Sequence, residues 1–128
     1  MDNGVKILVG DDDRVNQLVL QGMLKKLGCE CSVVGSGASV IESVKAGGVD
    51  LLFLDVQLPD INGFDVARKI LELPDISPKP MIAFVSGHDA SDFRAEMDEL
   101  GVAFFVTKPV TVDALKKVLD AQAGSASS

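Results

Sequence analysis

Residues 50–65 read DLLFLDVQLPDINGFD. Four consecutive apolar side chains, Leu51 to Leu54, run straight into Asp55, and Pro59, Asn62 and Gly63 follow. An unbroken apolar run bounded by turn-forming residues suits a strand covered on both faces, the situation of a strand inside a parallel sheet. A carboxylate is costly to bury, so its place at the end of such a strand needs a reason.

The same alternation of short β-type runs and helical patterns extends in both directions, which predicts an α/β chain with a helix-covered parallel sheet. Upstream, KILVG (6–10) is a strand, and a helix over Arg14 to Leu27 sets Val15, Leu18, Val19, Met23 and Leu27 at helical spacing before Gly28 closes it. CECSVV (29–34) reads as a second strand that points Cys29 and Cys31 to one face as packing thiols, too constrained for a mutual disulfide. The helix after it carries Val40, Ile41 and Val44 and stops at Gly47 and Gly48. Downstream of Asp55, a helix from Gly63 to Leu73 presents Phe64, Val66, Ala67, Ile70 and Leu71, and the proline-rich PDISPKP ends it. MIAFVS (81–86) and AFFV (103–106) are the fourth and fifth strands, separated by a largely polar helix from Ser91 to Leu100. A last helix from Val112 to Gln122 packs Leu115, Val118 and Leu119.

A chain of 128 residues with 47% apolar content can build one core without disulfides or metals. One domain is expected over residues 1–122, followed by a flexible small-residue tail, AGSASS, at 123–128. Nineteen acidic against 12 basic side chains give a formal charge of −7, which repels phosphate backbones and anionic lipid and argues against nucleic-acid or membrane binding. No apolar run is long enough to cross a bilayer, and MDNGVKILVGDDD reaches acidic residues too early for a secretory leader. A cytoplasmic location is expected, with nuclear entry left open.

Ligands of an open parallel sheet bind beyond the carboxyl ends of its strands, where strand order reverses. Asp11, Asp12 and Asp13 follow the first strand, Asp55 ends the third, Ser86 ends the fourth, and Thr107, Lys108 and Pro109 follow the fifth. Asp13 directly precedes a helix and is read as its cap. The others would share one edge of the sheet, and carboxylates crowded together need a cation. An all-oxygen donor set favours Mg²⁺, with Mn²⁺ as an alternative, over zinc. Carboxylate, magnesium, lysine and hydroxyl together suit phosphoryl transfer, because each can neutralise or hydrogen-bond the oxygens of the moving group.

With these motifs in hand, the sequence resembles the receiver domain of two-component response regulators, the phosphoacceptor of histidine-to-aspartate relays. ILVGDDDRVN resembles the family's first strand and acidic pair, FLDVQLPDINGFD its phosphoacceptor segment, FVSGH its hydroxyl position and VTKPV its lysine–proline element. The resemblance implies a flavodoxin-like, doubly wound five-stranded parallel sheet in the order 2-1-3-4-5 with five helices. It implies that Asp55 accepts the phosphoryl group from a phosphohistidine donor. Asp12 would bind Mg²⁺ directly and Asp11 partly through water, with Asp55 and the backbone carbonyl of Gln57 completing the protein's share of the shell. Ser86 resembles the hydroxyl that meets the phosphoryl group and Lys108 the ammonium that pairs with it; the bond between Lys108 and Pro109 is expected to be cis. Asp55 must be ionised to attack phosphorus, a form that Lys108 and a divalent ion favour.

Some positions depart from the family's usual residues. Phe105 stands at an aromatic switch position on the fifth strand, without a hydroxyl; Gly87 replaces a common alanine and Leu58 a frequent methionine. Gln57 and His88 occupy positions that tune how water reaches the phosphoryl group and hence dephosphorylation. The resemblance implies a signalling module that catalyses its own phosphorylation and dephosphorylation rather than a conventional enzyme.

DDDRVNQLVL and CEC look more like receivers of hybrid histidine kinases than like those of transcription factors, and small stand-alone plant regulators are the other resemblance. The expected partner is a histidine phosphotransfer protein or histidine kinase, docking near Arg14, Val15 and Leu18, and the expected state is a monomer. With no room for an output module after Gln122, the output is expected to be another molecule. The competing class, an aspartate-nucleophile phosphatase of the haloacid dehalogenase type, needs a second aspartate two positions after the nucleophile, where this chain has Gln57.

Overall fold

The structure is a computed structural model that describes residues 5–126. Its strands β1 (Ile7–Gly10), β2 (Cys31–Val34), β3 (Leu51–Asp55), β4 (Met81–Ser86) and β5 (Phe104–Thr107) form one parallel sheet in the order β2-β1-β3-β4-β5. The helices are α1 (Arg14–Lys26), α2 (Gly37–Lys45), α3 (Gly63–Leu71), α4 (Arg94–Leu100) and α5 (Val112–Ala126), with a 3-10 turn at Ala90–Phe93 leading into α4. No described helix is long and apolar enough to cross a membrane.

The apolar run of β3 is buried along its whole length because its two faces feed two cores. Leu51 and Phe53 join Leu20 and Leu24 of α1 and Leu115 and Val118 of α5 on one side. Leu52 and Leu54 join Val40 and Val44 of α2, Ile70 of α3 and Met97 of α4 on the other. Alternation across the sheet thus explains why no polar residue interrupts the strand.

The register fixes the level at which each strand stops. Gly10, Leu54, Phe84 and Phe105 lie on one rung, and Asp55 pairs with Val85 on the next. Asp11, directly after Gly10, therefore emerges beside Asp55. Local caps keep the helices from overrunning this edge: Asp13 accepts from the amides of Val15 and Asn16, Ser36 from Ser39, and Asn62 from Phe64.

Several boundaries and faces differ from the sequence-based expectation. The core-facing arc of α1 is Gln17, Leu20 and Leu24, whereas Val15, Leu18 and Val19 face outward. This helix is apolar around much of its circumference, and on the inward arc Gln17 donates from Nε2 to the carbonyl of Asp11 at 2.6 Å. Met23 and Leu27 are half-buried against the same core. Cys29 precedes β2 instead of forming part of it, yet both cysteines pack into one cluster. Burial and then the neighbouring Cys29 push the Cys31 thiol up to about 11. Finally, α5 continues past Gln122 to Ala126, so residues 123–126 are helical rather than tail; residues 127–128 lie outside the described residues.

Candidate functional site

The carboxyl edge of the sheet carries the titratable cluster anticipated above. Asp11, Asp12 and Asp55 each offer a carboxylate oxygen, and the three atoms lie within 4.8 Å of one another. Asp11 is 1% exposed and Asp55 5%, whereas Asp12 is exposed. Lys108, at the end of β5, reaches both buried acids: its Nζ lies 3.1 Å from Asp55 Oδ2 and 3.5 Å from Asp11 Oδ2.

Backbone geometry aims each group. The amide of Asp11 donates to Val34 at 3.0 Å, its Oδ1 accepts from the amide of Asp13 at 2.9 Å, and Asp55 Oδ1 accepts from the amide of Gln57 at 2.8 Å. Lys108 is placed by its own amide, which donates to the carbonyl of Ser86 at 2.8 Å, and its bond to Pro109 is cis. The end of β4 and the lysine are therefore locked together. Gly63 lies so close to β3 that a Cβ would overlap the Asp55 carbonyl and stand 2.8 Å from Val56 Cα, so only glycine fits there.

Electrostatically the cluster is incomplete. Burial raises the Asp11 carboxyl above the ordinary range, opposed by the Asp13 amide; the charge of Asp55 raises it further while Lys108 opposes. Burial alone would depress the Lys108 ammonium, but its hydrogen bond to Asp55 and the charges of both acids hold it above the usual lysine value. Asp11 Oδ2 is buried without a hydrogen-bond donor, since Lys108 approaches it at ion-pair distance only. Three carboxyl groups against one ammonium, with an orphaned buried oxygen, form an oxygen-only donor set that fits Mg²⁺.

The remaining predicted residues spread around this centre. Ser86 is buried on the same edge, and its Oγ accepts from the amide of His88 at 3.1 Å. Gln57 is exposed and touches Asp55 through its amide. The ring contacts of His88 and Phe105 are both with Phe93: His88 meets it edge-on at 5.9 Å and Phe105 stacks on it at 5.9 Å. Phe93 was not anticipated, nor were Gln17 and Asp60, which accepts from the amides of Gly37 and Ala38 at the start of α2. Gln17 left a signal, because it shares its helical arc with Leu20 and Leu24; Asp60 left none, since its partners are remote in sequence.

A groove of about 450 Å³ at the opposite end of the sheet, bordered by Asp50, Asp75, Ile76, Lys79 and Gln122, has no such cluster. Its Lys79 ammonium is occupied by the carbonyls of Leu73 and Ile76.

Comparison with known proteins agrees with this fold. The sequence matches the response regulator receiver domain family over residues 7–120. It is 32% identical over 120 residues to hybrid signal transduction histidine kinase L of Dictyostelium discoideum, a match covering 89% of this chain and 7% of that kinase. The chain spans 7% to 16% of the length of the curated relatives it matches. Among solved structures, the receiver domain of a Pseudomonas aeruginosa sensor histidine kinase, with a magnesium ion coordinated in its active-site cleft, superposes with a TM-score of 0.83 at 25% identity, covering 94% of this chain and 98% of that one. The receiver domain of a Saccharomyces cerevisiae response regulator, solved with a histidine phosphotransfer protein, shares the fold with a TM-score of 0.75 at 23% identity, covering 88% and 84% of the two chains.

Proposed function

The chain belongs to the response regulator receiver domain family, and on that premise we propose that Asp55 accepts a phosphoryl group from a phosphohistidine and later releases it to water. A carboxylate oxygen of Asp55 forms the new bond to phosphorus as the phosphorus–nitrogen bond breaks, and the electron pair returns to the donor imidazole. Water later attacks the same phosphorus, giving inorganic phosphate and the free carboxylate. The observation that carries this reading is the Lys108 ammonium set between two buried acids, 3.1 Å from Asp55 and 3.5 Å from Asp11.

Asp12, Asp55 and the Gln57 carbonyl would hold Mg²⁺, with Asp11 acting partly through water; Mn²⁺ suits the same donors. When bound, the cation supplies charge neutralisation for the crowded carboxylates and the phosphoryl oxygens. Lys108 offers the transferred group a further positive charge, and the Ser86 hydroxyl offers it a hydrogen bond. Phe105 is the aromatic that reports occupancy of the site by moving relative to Phe93.

Water access is the task we assign to His88 and Gln57, both exposed beside the site. His88→Ala is expected to change the decay rate of the phosphorylated protein about fivefold, the rate equivalent of about 1 kcal/mol for one hydrogen bond. Unchanged decay would remove His88 from the mechanism.

The donor is a histidine phosphotransfer protein or kinase, met by a monomeric receiver in the cytoplasm. Val15, Leu18 and Val19 on α1, exposed by 67%, 52% and 40%, supply an apolar patch beside the acids for a helical donor. The chain would act either as the receiver of a hybrid kinase or as a small free-standing regulator.

Incubating the protein with a ³²P-labelled histidine phosphotransfer protein, and separately with acetyl phosphate, tests the function. One Mg²⁺-dependent phosphoryl group per chain, lasting minutes, is expected from both donors. Multiple turnover of small phosphate esters would make the protein a phosphatase instead, and absence of any adduct would make it an inert binding module.

A further inference from the structure

The segment between β3 and α3 is held from a direction that the phosphoacceptor chemistry does not explain. Asp60, exposed in this turn, reaches α2: its Oδ1 accepts from the amide of Gly37 at 2.8 Å and its Oδ2 from the amide of Ala38 at 3.0 Å. A helix start leaves several amides without internal partners. The local cap, Ser36, satisfies only that of Ser39, so Asp60 takes two that remain. The negative carboxylate also suits the positive end of the helix, and these amide bonds hold the Asp60 carboxyl below the ordinary range.

The contact is backed by packing. A Cβ on Gly37 would overlap Ile61 Cγ2 and lie 2.9 Å from Val66 Cγ2 and 3.3 Å from Asp60 Oδ1, so the turn rests directly on the glycine backbone. At its other end the segment meets the acid site through the Gln57 amide on Asp55 Oδ1 at 2.8 Å, and it closes on itself through the Gly63 amide on the Val56 carbonyl at 2.8 Å. Residues 56–63 are thus pinned between the start of α2 and the end of β3.

We propose that Asp60 is a positioning residue: by clamping this segment to the first turn of α2, it orders Gln57 and Asp55 for the metal and for phosphoryl capture. The proposal deepens the function proposed above and rests on it for the identity of Asp55 as acceptor. Asp60 touches none of the reacting groups; it acts through the backbone that carries them. Outer groups that orient metal donors typically change metal affinity by about 10–100-fold when removed.

Three variants separate positioning from simple helix capping: Asp60→Ala, Asp60→Asn, which keeps one of the two acceptor oxygens, and Gly37→Ala, which displaces the turn without changing residue 60. Asp60 is exposed, so its replacement leaves both cores intact. In metal-free protein, amide hydrogen exchange at Gln57 and Gly63 is expected to accelerate about tenfold in Asp60→Ala, and calorimetric Mg²⁺ affinity to weaken about tenfold. Asp60→Asn, with one acceptor for two amides, should recover only part of both losses, and Gly37→Ala should reproduce them. Faster exchange confined to Gly37 and Ala38, with Mg²⁺ affinity within about twofold of wild type, would overturn the proposal and leave Asp60 a cap of α2. Should wild type bind no Mg²⁺ or take no label on Asp55, the proposed function itself fails; exchange at Gln57 and Gly63 then decides the clamp alone, faster supporting it and unchanged overturning it.

Discussion

Asparagine at position 55 will abolish phosphoryl capture and at the same time raise the melting temperature of the metal-free protein. The first effect follows from loss of the nucleophile: an amide oxygen cannot form the acyl phosphate that a carboxylate forms. The second follows from charge. Asp11, Asp12 and Asp55 crowd within 4.8 Å around one ammonium, and Asp11 retains a buried oxygen without a donor. Asparagine keeps the shape and an acceptor for Lys108 or the Gln57 amide while removing one negative charge, so repulsion falls and Lys108 turns fully toward Asp11. A gain of about 1 kcal/mol is expected, corresponding to about 3–5 °C for a domain of this size.

The pH dependence carries a defined sign. An acid raised in the folded state, as Asp11 is, binds its proton more tightly folded than unfolded. It therefore favours folding at low pH, and that contribution is lost as pH rises through the folded value. Relief by Asp55→Asn should accordingly appear at neutral pH and fade as pH falls through the raised folded value of Asp11. Calorimetric scans in EDTA at neutral and acidic pH test this. A lower melting temperature at neutral pH would mean that the Asp55–Lys108 pair outweighs the repulsion among the acids.

Lys108→Ala is expected to slow phosphorylation by about 10²–10³-fold, the usual consequence of deleting one preorganised charge from a transition state. It should also destabilise the metal-free protein. Breaking a buried ion pair costs about 3–5 kcal/mol; the Lys108 side chain is 25% exposed, so solvent screening reduces the expected loss to about 2–3 kcal/mol. The folded ammonium lies above its ordinary value of 10.5. Its contribution is therefore complete below pH 10.5 and is lost as pH rises through the higher folded value, so wild type should approach the variant only in strong alkali. Mg²⁺ should restore more stability to Lys108→Ala than to wild type, because it replaces the missing charge. Chemical denaturation with and without Mg²⁺ measures both. Equal stabilisation of the two proteins would show that the lysine and the cation do not share the same acids.

Much of this was legible in the chain. The run Leu51–Leu54 announced a strand covered on both faces, and the polar residues at the ends of the first, third, fourth and fifth strands marked the edge where Asp11, Asp55, Ser86 and Lys108 emerge. What failed was the face of α1. Helical spacing supports two apolar arcs there, and periodicity cannot choose between them when both are occupied; the buried arc is the one that carries Leu20 and Leu24 together with Gln17, which bonds to Asp11. The end of α5 was misplaced because a small-residue stretch such as AGSA has no apolar pattern to signal that the helix continues. The Asp60 clamp and the stacking of Phe93 on Phe105 are tertiary contacts with no local periodicity, visible only once α2 and β5 are in place.

The most direct measurement is mass-spectrometric mapping of the chain after brief incubation with acetyl phosphate, in Mg²⁺ and in EDTA. A single phosphoryl adduct on Asp55, formed with Mg²⁺ and absent with EDTA, is the expected result. Label on any other side chain, or label on Asp55 that is indifferent to the cation, would contradict the assignment of this edge as a magnesium-dependent phosphoacceptor.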